Sequence, residues 1–209
     1  MQLEQQESFT ISGPQLEVFG QVETKLPAPA KKRSTASVFL VVLALLSVFG
    51  IGGAKLKGQY TIVQAAYTQQ DRHGNSLQND LSASADYAAS LIRQCETVLP
   101  ADRLTLTDAQ QALDDWNALT SAAPAAQYTA NLRLYNAVDA LHADVSRTTG
   151  STSAIEDLYD SFVSVQSIID REGADYNTTA ERYNASVSAF PANVIGAVWG
   201  AGQAEKFGN

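Results

Sequence analysis

The feature that most constrains this chain is "STASVFLVVLALLSVFGIGGA", an uncharged run from Ser34 to Ala54. About 20 residues of helix cross a hydrocarbon core of roughly 30 Å, so the run predicts a transmembrane helix. A secretory signal peptide has a short basic start and an apolar core of about 7–15 residues. Here residues 1–33 are polar and the apolar run is longer, which points to an uncleaved anchor. No Cys follows the run directly, so a lipoprotein anchor is not expected. Lys25, Lys31, Lys32 and Arg33 precede the span, and Lys55, Lys57 and the more distant Arg72 follow it. That excess predicts a single-pass protein of the cell membrane with a cytoplasmic N-terminus and an extracytoplasmic soluble part.

Residues 1–33 contain Pro14, Pro27 and Pro29 with scattered Gln and Glu, and read as a disordered polar tail. Four Lys/Arg balance four Glu in it, so the net charge of -8 belongs to residues 34–209. Nucleic acid is therefore not an expected partner. Basic surfaces on envelope or membrane proteins are, and self-association is a further option.

Beyond the span, Tyr60, Val63, Tyr67, Leu77, Leu81, Ala88, Leu91, Cys95 and Val98 recur at largely helical intervals. With Gly74 as the one breaker before Pro100, the spacing predicts one long helix over 58–99, loosened at the "GIGG" of residues 50–53. Cys95 on that stripe reads as a buried, inert thiol. "TDAQ" at Thr107–Gln110 and "SAIE" at Ser153–Glu156 carry the side chains of capping boxes. Pro124 suits a helix's first turn; Leu134, Val138, Leu141 and Val145 follow at 4-3-4 spacing until "TTGS" at 148–151.

No stretch alternates with period two, so the fold class is all-α. Connections at 100–106, 121–125 and 148–153 make antiparallel neighbours the natural arrangement. The expected organisation is a tail at 1–33, a transmembrane helix at 34–54, and an elongated antiparallel four-helix bundle with a short C-terminal helix over 55–209.

The last long helix should run from about Ser153 to Phe190. Phe162, Ile169, Tyr176, Tyr183 and Phe190 then form one column, and Gly173, Ala180 and Val187 complete a seam. Asn177 and Asn184 each follow a column tyrosine and flank the seam. An edge hydrogen bond and a solvent-facing side chain are both open to them. Pro191 has no N–H and restricts its predecessor, so the helix should end at Phe190.

"R..ADYNTTAERYNASVSAFPANVIGAVWG" resembles the C-terminal signature of the LemA family, with Arg171, Tyr176, Asn177, Tyr183, Asn184, Phe190 and Pro191 at the motif positions and Phe207 as the closing aromatic. An N-terminal span followed by a bundle of long helices also fits that family, over roughly residues 36–207. The resemblance implies a bacterial or archaeal single-pass membrane protein, and fold and placement more than mechanism. Where family members carry an "LIPNLV"-like stretch this chain has "DYAASLIRQCETVL", keeping Leu91, Ile92 and Val98 as apolar positions. It is identified as a divergent member.

Chemistry-bearing patterns are sparse. His73 and His142 are the only histidines, and His142 is spaced for a salt link to Asp139. Asp114–Asp115 and Glu156–Asp157 are adjacent pairs that diverge around a helix, and "GAVWGAG" at 196–202 lacks a phosphate-loop pattern. No catalytic residue, cofactor or metal site is expected. Phe190–Ala204 is uncharged and holds Val194, Ile195, Val198 and Trp199, which suits a final helix packed on the bundle or an interfacial helix with Trp199 at headgroup level. The expected function is a non-enzymatic, membrane-anchored scaffold or interaction protein of the prokaryotic envelope. A sensor-type ligand-binding ectodomain is the alternative; a hydrolase would need a convergent site that no motif supplies.

Overall fold

The computed structural model describes residues 33–69, 76–119 and 123–208. The tail at 1–32, Arg72, His73, Gly74 and the start of the 121–125 connection lie outside them. The chain divides into two units, Met1–Gly52 and Gly53–Asn209. Its elements are α1 (Arg33–Leu46), a π-helical turn (Ser47–Ile51), α2 (Gly52–Thr68), α3 (Leu77–Cys95), α4 (Leu104–Asn117), α5 (Pro124–Thr148), α6 (Ser153–Val187) and α7 (Ala192–Val198). There is no strand among the described residues.

Ser34–Thr68 is long and apolar enough to cross a membrane, with mean hydropathy 2.4 over its most apolar stretch and only 6% of that stretch buried. The expected loosening falls at the π-helical turn, which overlaps the "GIGG" at Gly50 and Ile51. Such single turns interrupt an α-helix where its bonding register shifts by one residue.

In the second unit α3 to α6 pack as antiparallel neighbours. Tyr135 stacks on Phe162 and His142 on Tyr159, which pairs α5 with α6; Arg133–Asp115 and Arg103–Asp144 pair α4 with α5. One core joins Ala88, Leu91, Cys95, Leu106, Leu134, Leu141 and Phe162. A second joins Val63, Tyr67, Leu77, Leu81, Ile169, Tyr176, Tyr183 and Phe207, so α2 closes the far half of α6. Between them lies a buried polar layer, one side chain from each of α3, α5 and α6. Gln166 Nε2 donates to Ser84 Oγ (2.6 Å), and Asn131 Nδ2 donates to Gln166 Oε1 (2.9 Å).

Several helix boundaries differ from the sequence expectation, each for a local reason. Residues 58–99 are not one helix. The structure ends α2 at Thr68 and opens α3 with Ser76, whose Oγ accepts from the Asn79 N–H (3.2 Å), with Asp80 in the first turn. That cap satisfies a free N–H and the acid suits the helix's positive end. The stripe survives because Val63, Tyr67, Leu77 and Leu81 all enter the second core.

Helix α4 begins at Leu104, not at "TDAQ". Thr107 is interior, and its hydroxyl donates to the Leu104 carbonyl (3.0 Å). What fixes the earlier start is the N-cap residue Arg103, whose guanidinium grips Asp144 and donates to Thr148 Oγ1 (3.2 Å), while Thr105 also donates to Asp144 (2.7 Å). Thr152, one residue before "SAIE", caps α6 by accepting from the Ile155 N–H (3.4 Å). Pro124 opens α5 as expected. Helix α6 stops at Val187, and the Phe190–Pro191 peptide is cis. Four members of the heptad column are therefore buried and Phe190, beyond the helix end, is not.

Two outcomes follow. Hydrogen bonds from Arg103 and Thr105 hold the Asp144 carboxyl far below the ordinary carboxylate range. Its contribution to stability is full above about pH 4, the unfolded value, and fades as pH falls through the folded one. Asp144→Asn should melt below the parent at pH 7, and the gap should narrow on acidification below pH 4; a constant gap across that range counts against the ion pair. Cys95 is buried, and that burial pushes its thiol up to about 11. A thiol-specific dye should label the folded chain negligibly and react fully once denaturant unfolds it; fast labelling of the native chain would place Cys95 at the surface.

Candidate functional site

Helix α6 presents its two tyrosine–asparagine pairs on one flank, and both pairs hold the segment that follows α7. Asn184 Nδ2 donates to the Ala204 carbonyl (2.9 Å) while its Oδ1 accepts from the Ala204 N–H (2.7 Å). Asn177 repeats this at Phe207, donating to the carbonyl and accepting from the N–H, both at 2.7 Å. Each amide thus mimics a peptide unit in a β-ladder, and each is specific for backbone rather than for a side chain. The tyrosines add one bond apiece. Tyr183 Oη donates to the Ala201 carbonyl (2.6 Å) and Tyr176 Oη to the Glu205 carbonyl (2.7 Å).

This arrangement gives the heptad spacing a second use. Seven residues of helix rise about 10.5 Å, and three residues of extended chain reach about 10 Å. Asn177 and Asn184, seven apart, therefore match Phe207 and Ala204, three apart and running the opposite way. The placement of both asparagines, open from sequence alone, is decided by the tail.

Side-chain packing completes the strap. The Phe207 ring lies on Gly173, where a Cβ would stand 2.6 Å from its Cδ1. It also meets Tyr128 edge-on (5.2 Å between centroids) and Tyr67 (6.4 Å). Tyr60 approaches Tyr183 (5.5 Å) and Tyr67 approaches Tyr176 (5.4 Å), linking α2 to the same column. The Lys206–Glu181 ion pair (2.8 Å) is exposed at both ends. Such pairs contribute at most about 1 kcal/mol, so the neutral bonds and Phe207 carry the strap.

Both tyrosine hydroxyls act here as donors to backbone carbonyls. Burial, with the nearby Tyr60 and Glu205, pushes Tyr176 up to about 12, and burial also raises Tyr183. Beside the strap runs a cleft of about 390 Å³ lined by Tyr60, Val63, Tyr67, Tyr176, Gln203 and Glu205, among others.

The structure brings together Tyr176, Asn177, Tyr183 and Asn184. Arg171 is exposed one cleft away, beside Gln69 and Asp175, and Phe190 and Pro191 stand apart from the strap. The partners Ala201, Ala204 and Glu205 were missed by sequence reasoning, because a small-residue segment without periodicity gives no signal of what its carbonyls and N–H groups meet.

Elsewhere, His142 pairs with Glu156 (3.2 Å) rather than with Asp139, and its ring stacks on Tyr159 at 3.7 Å. Asp139 instead accepts from the Tyr159 hydroxyl. The packing of α6 on α5 offers His142 a nearer carboxylate than its own helix does. The Ser151 hydroxyl and His142 lower Glu156. Among the described residues no group of three or more His, Cys, Asp and Glu side chains could hold a metal ion.

No protein-family model, no curated protein and no solved structure matches the chain.

Removing one amide tests the strap. Asn184→Ala leaves the Ala204 N–H and carbonyl unpaired, a cost of about 1–3 kcal/mol. It should speed hydrogen exchange at Ala204 and at Phe207, and hasten proteolysis of the tail, while the exchange of α3 stays slow. Unchanged exchange at Ala204 would show that the tail is held by other contacts.

Proposed function

We propose that this chain is a non-enzymatic, membrane-anchored helical scaffold of the prokaryotic cell envelope, on the plan of a divergent LemA-family member. The observation that carries the reading is the helix over Ser34–Thr68, whose most apolar stretch is 6% buried and so suits a hydrocarbon surround. In this reading the helix crosses the cell membrane once, the N-terminus is cytoplasmic, and residues 55–209 stand on the other side. The repeated job of Tyr176–Asn177 and Tyr183–Asn184, holding one tail, supports the family reading, since it gives the motif a structural rather than a chemical purpose.

Among the described residues, His142 pairs with Glu156 and Asp144 with Arg103, contacts that support a structural role for these side chains. What the helical domain offers a partner is an acidic surface, so association with basic envelope or membrane proteins weakens as salt rises. A second reading, a sensor-type ligand-binding ectodomain, is favoured by one observation, the tyrosine-lined cleft of about 390 Å³ beside the strap.

Carbonate-washed membranes should retain the full-length chain, still carrying its N-terminal tail. A soluble form beginning near Lys55 would overturn the anchor. In intact cells, external protease should remove the helical domain, and cleavage only from the cytoplasmic side would reverse the topology.

A further inference from the structure

From Tyr183, near the end of α6, to Ala204 the chain carries no Asp, Glu, Lys or Arg. Helix α7 turns Ile195 and Gly196 inward. It leaves Val194 45% and Val198 69% exposed, with Phe190 at 82% before it and Trp199 at 39% after it. Val194 and Val198 are four apart on α7 and so share one side of it, and Phe190, exposed just ahead of the helix, adds to the apolar surface called the ridge below. Burial of the inward face does not account for that ridge.

Its location does. The Trp199 indole packs directly on Gly53, occupying the space a Cβ there would need. Lys57 Nζ donates to the Gly200 carbonyl (3.4 Å). Gly53 is the penultimate residue of the uncharged run, and Lys55 and Lys57 are the first charges after it. These contacts place Trp199 and Gly200 beside the residues at which the uncharged run ends and the first lysines follow. Tryptophan favours the zone where hydrocarbon gives way to headgroups because its ring is apolar and its N–H polar. Lysines there extend their ammonium groups to lipid phosphates.

We propose that the Phe190–Val194–Val198 ridge, with Trp199 at its edge, rests on the bilayer surface as a second membrane contact beside the span. The inference depends on residues 34–54 crossing the membrane. A second copy of the chain is the weaker occupant, since a stable protein interface needs about 800 Å² from each partner and this ridge is four side chains.

The test uses the full chain in liposomes of phosphatidylcholine and phosphatidylglycerol, with an environment-sensitive dye on single introduced thiols; Cys95 is buried and takes none. The positions are Phe190→Cys and Val198→Cys on the ridge, Leu43→Cys in the span, and Asp102→Cys between α3 and α4. Dyes on the ridge should emit to the blue and lose emission to lipids spin-labelled near the headgroup. The Leu43→Cys dye should lose emission to lipids labelled deep in the acyl chain, and the Asp102→Cys dye to neither. Ridge dyes that behave like the one at Asp102→Cys, while the span dye is still quenched, overturn this proposal and leave the anchor standing. An unquenched span dye overturns both. Blue emission insensitive to either lipid means that protein covers the ridge, which also overturns it. Trp199 emission in a Trp116→Phe chain, quenched by brominated lipid, gives the same reading without altering the ridge.

Discussion

Everything in the helical domain is arranged around one column of side chains on α6. Phe162, Ile169, Tyr176 and Tyr183 fall at heptad intervals, and all four are buried. Burying a large apolar side chain contributes about 1.5–3 kcal/mol, so the column outweighs the exposed ion pairs near it. It passes through both cores. Phe162 belongs to the one shared with α3, α4 and α5, while Ile169, Tyr176 and Tyr183 belong to the one closed by α2 and the tail. Because Ala180 and Gly173 are small, the tail and its Phe207 ring can approach the helix closely.

The polar layer of Ser84, Asn131 and Gln166 separates the two cores at a point where a purely apolar column would tolerate sliding. Each amide finds a partner on another helix. A slip of one turn would strand them, at about 1–3 kcal/mol for each buried group left unpaired. Matched polar layers of this kind set register more than they add stability. At the far end, the contact of Arg103 with Asp144 has a similar effect on α4, fixing where the helix begins.

The strap shows how a helix can hold a chain that forms no regular element. Two side-chain amides substitute for the edge of a sheet, and two phenols add donors to backbone carbonyls. The same strap carries Gly200, whose carbonyl meets Lys57, and follows directly from the Trp199 packed on Gly53. The YN pairs therefore connect the core of the domain to the segment that packs on Gly53 and Lys57.

The sequence by itself determined whatever depends on position along one helix. The uncharged 34–54 run, the apolar stripe through Leu77, Leu91 and Cys95, and the column on α6 were all legible as periodicity or length, because burial of a helix face repeats every few residues regardless of what covers it. Only the tertiary structure decided the interruption after Thr68, the start of α4 at Leu104, the carboxylate that His142 meets, and the backbone that Asn177 and Asn184 hold. Those are contacts between polar groups that local sequence does not pair: Asn177 and Phe207 stand 30 positions apart, Arg103 and Asp144 41. A polar side chain has several partners of similar energy within reach of its own segment, and the packing of the apolar faces decides which of them arrives.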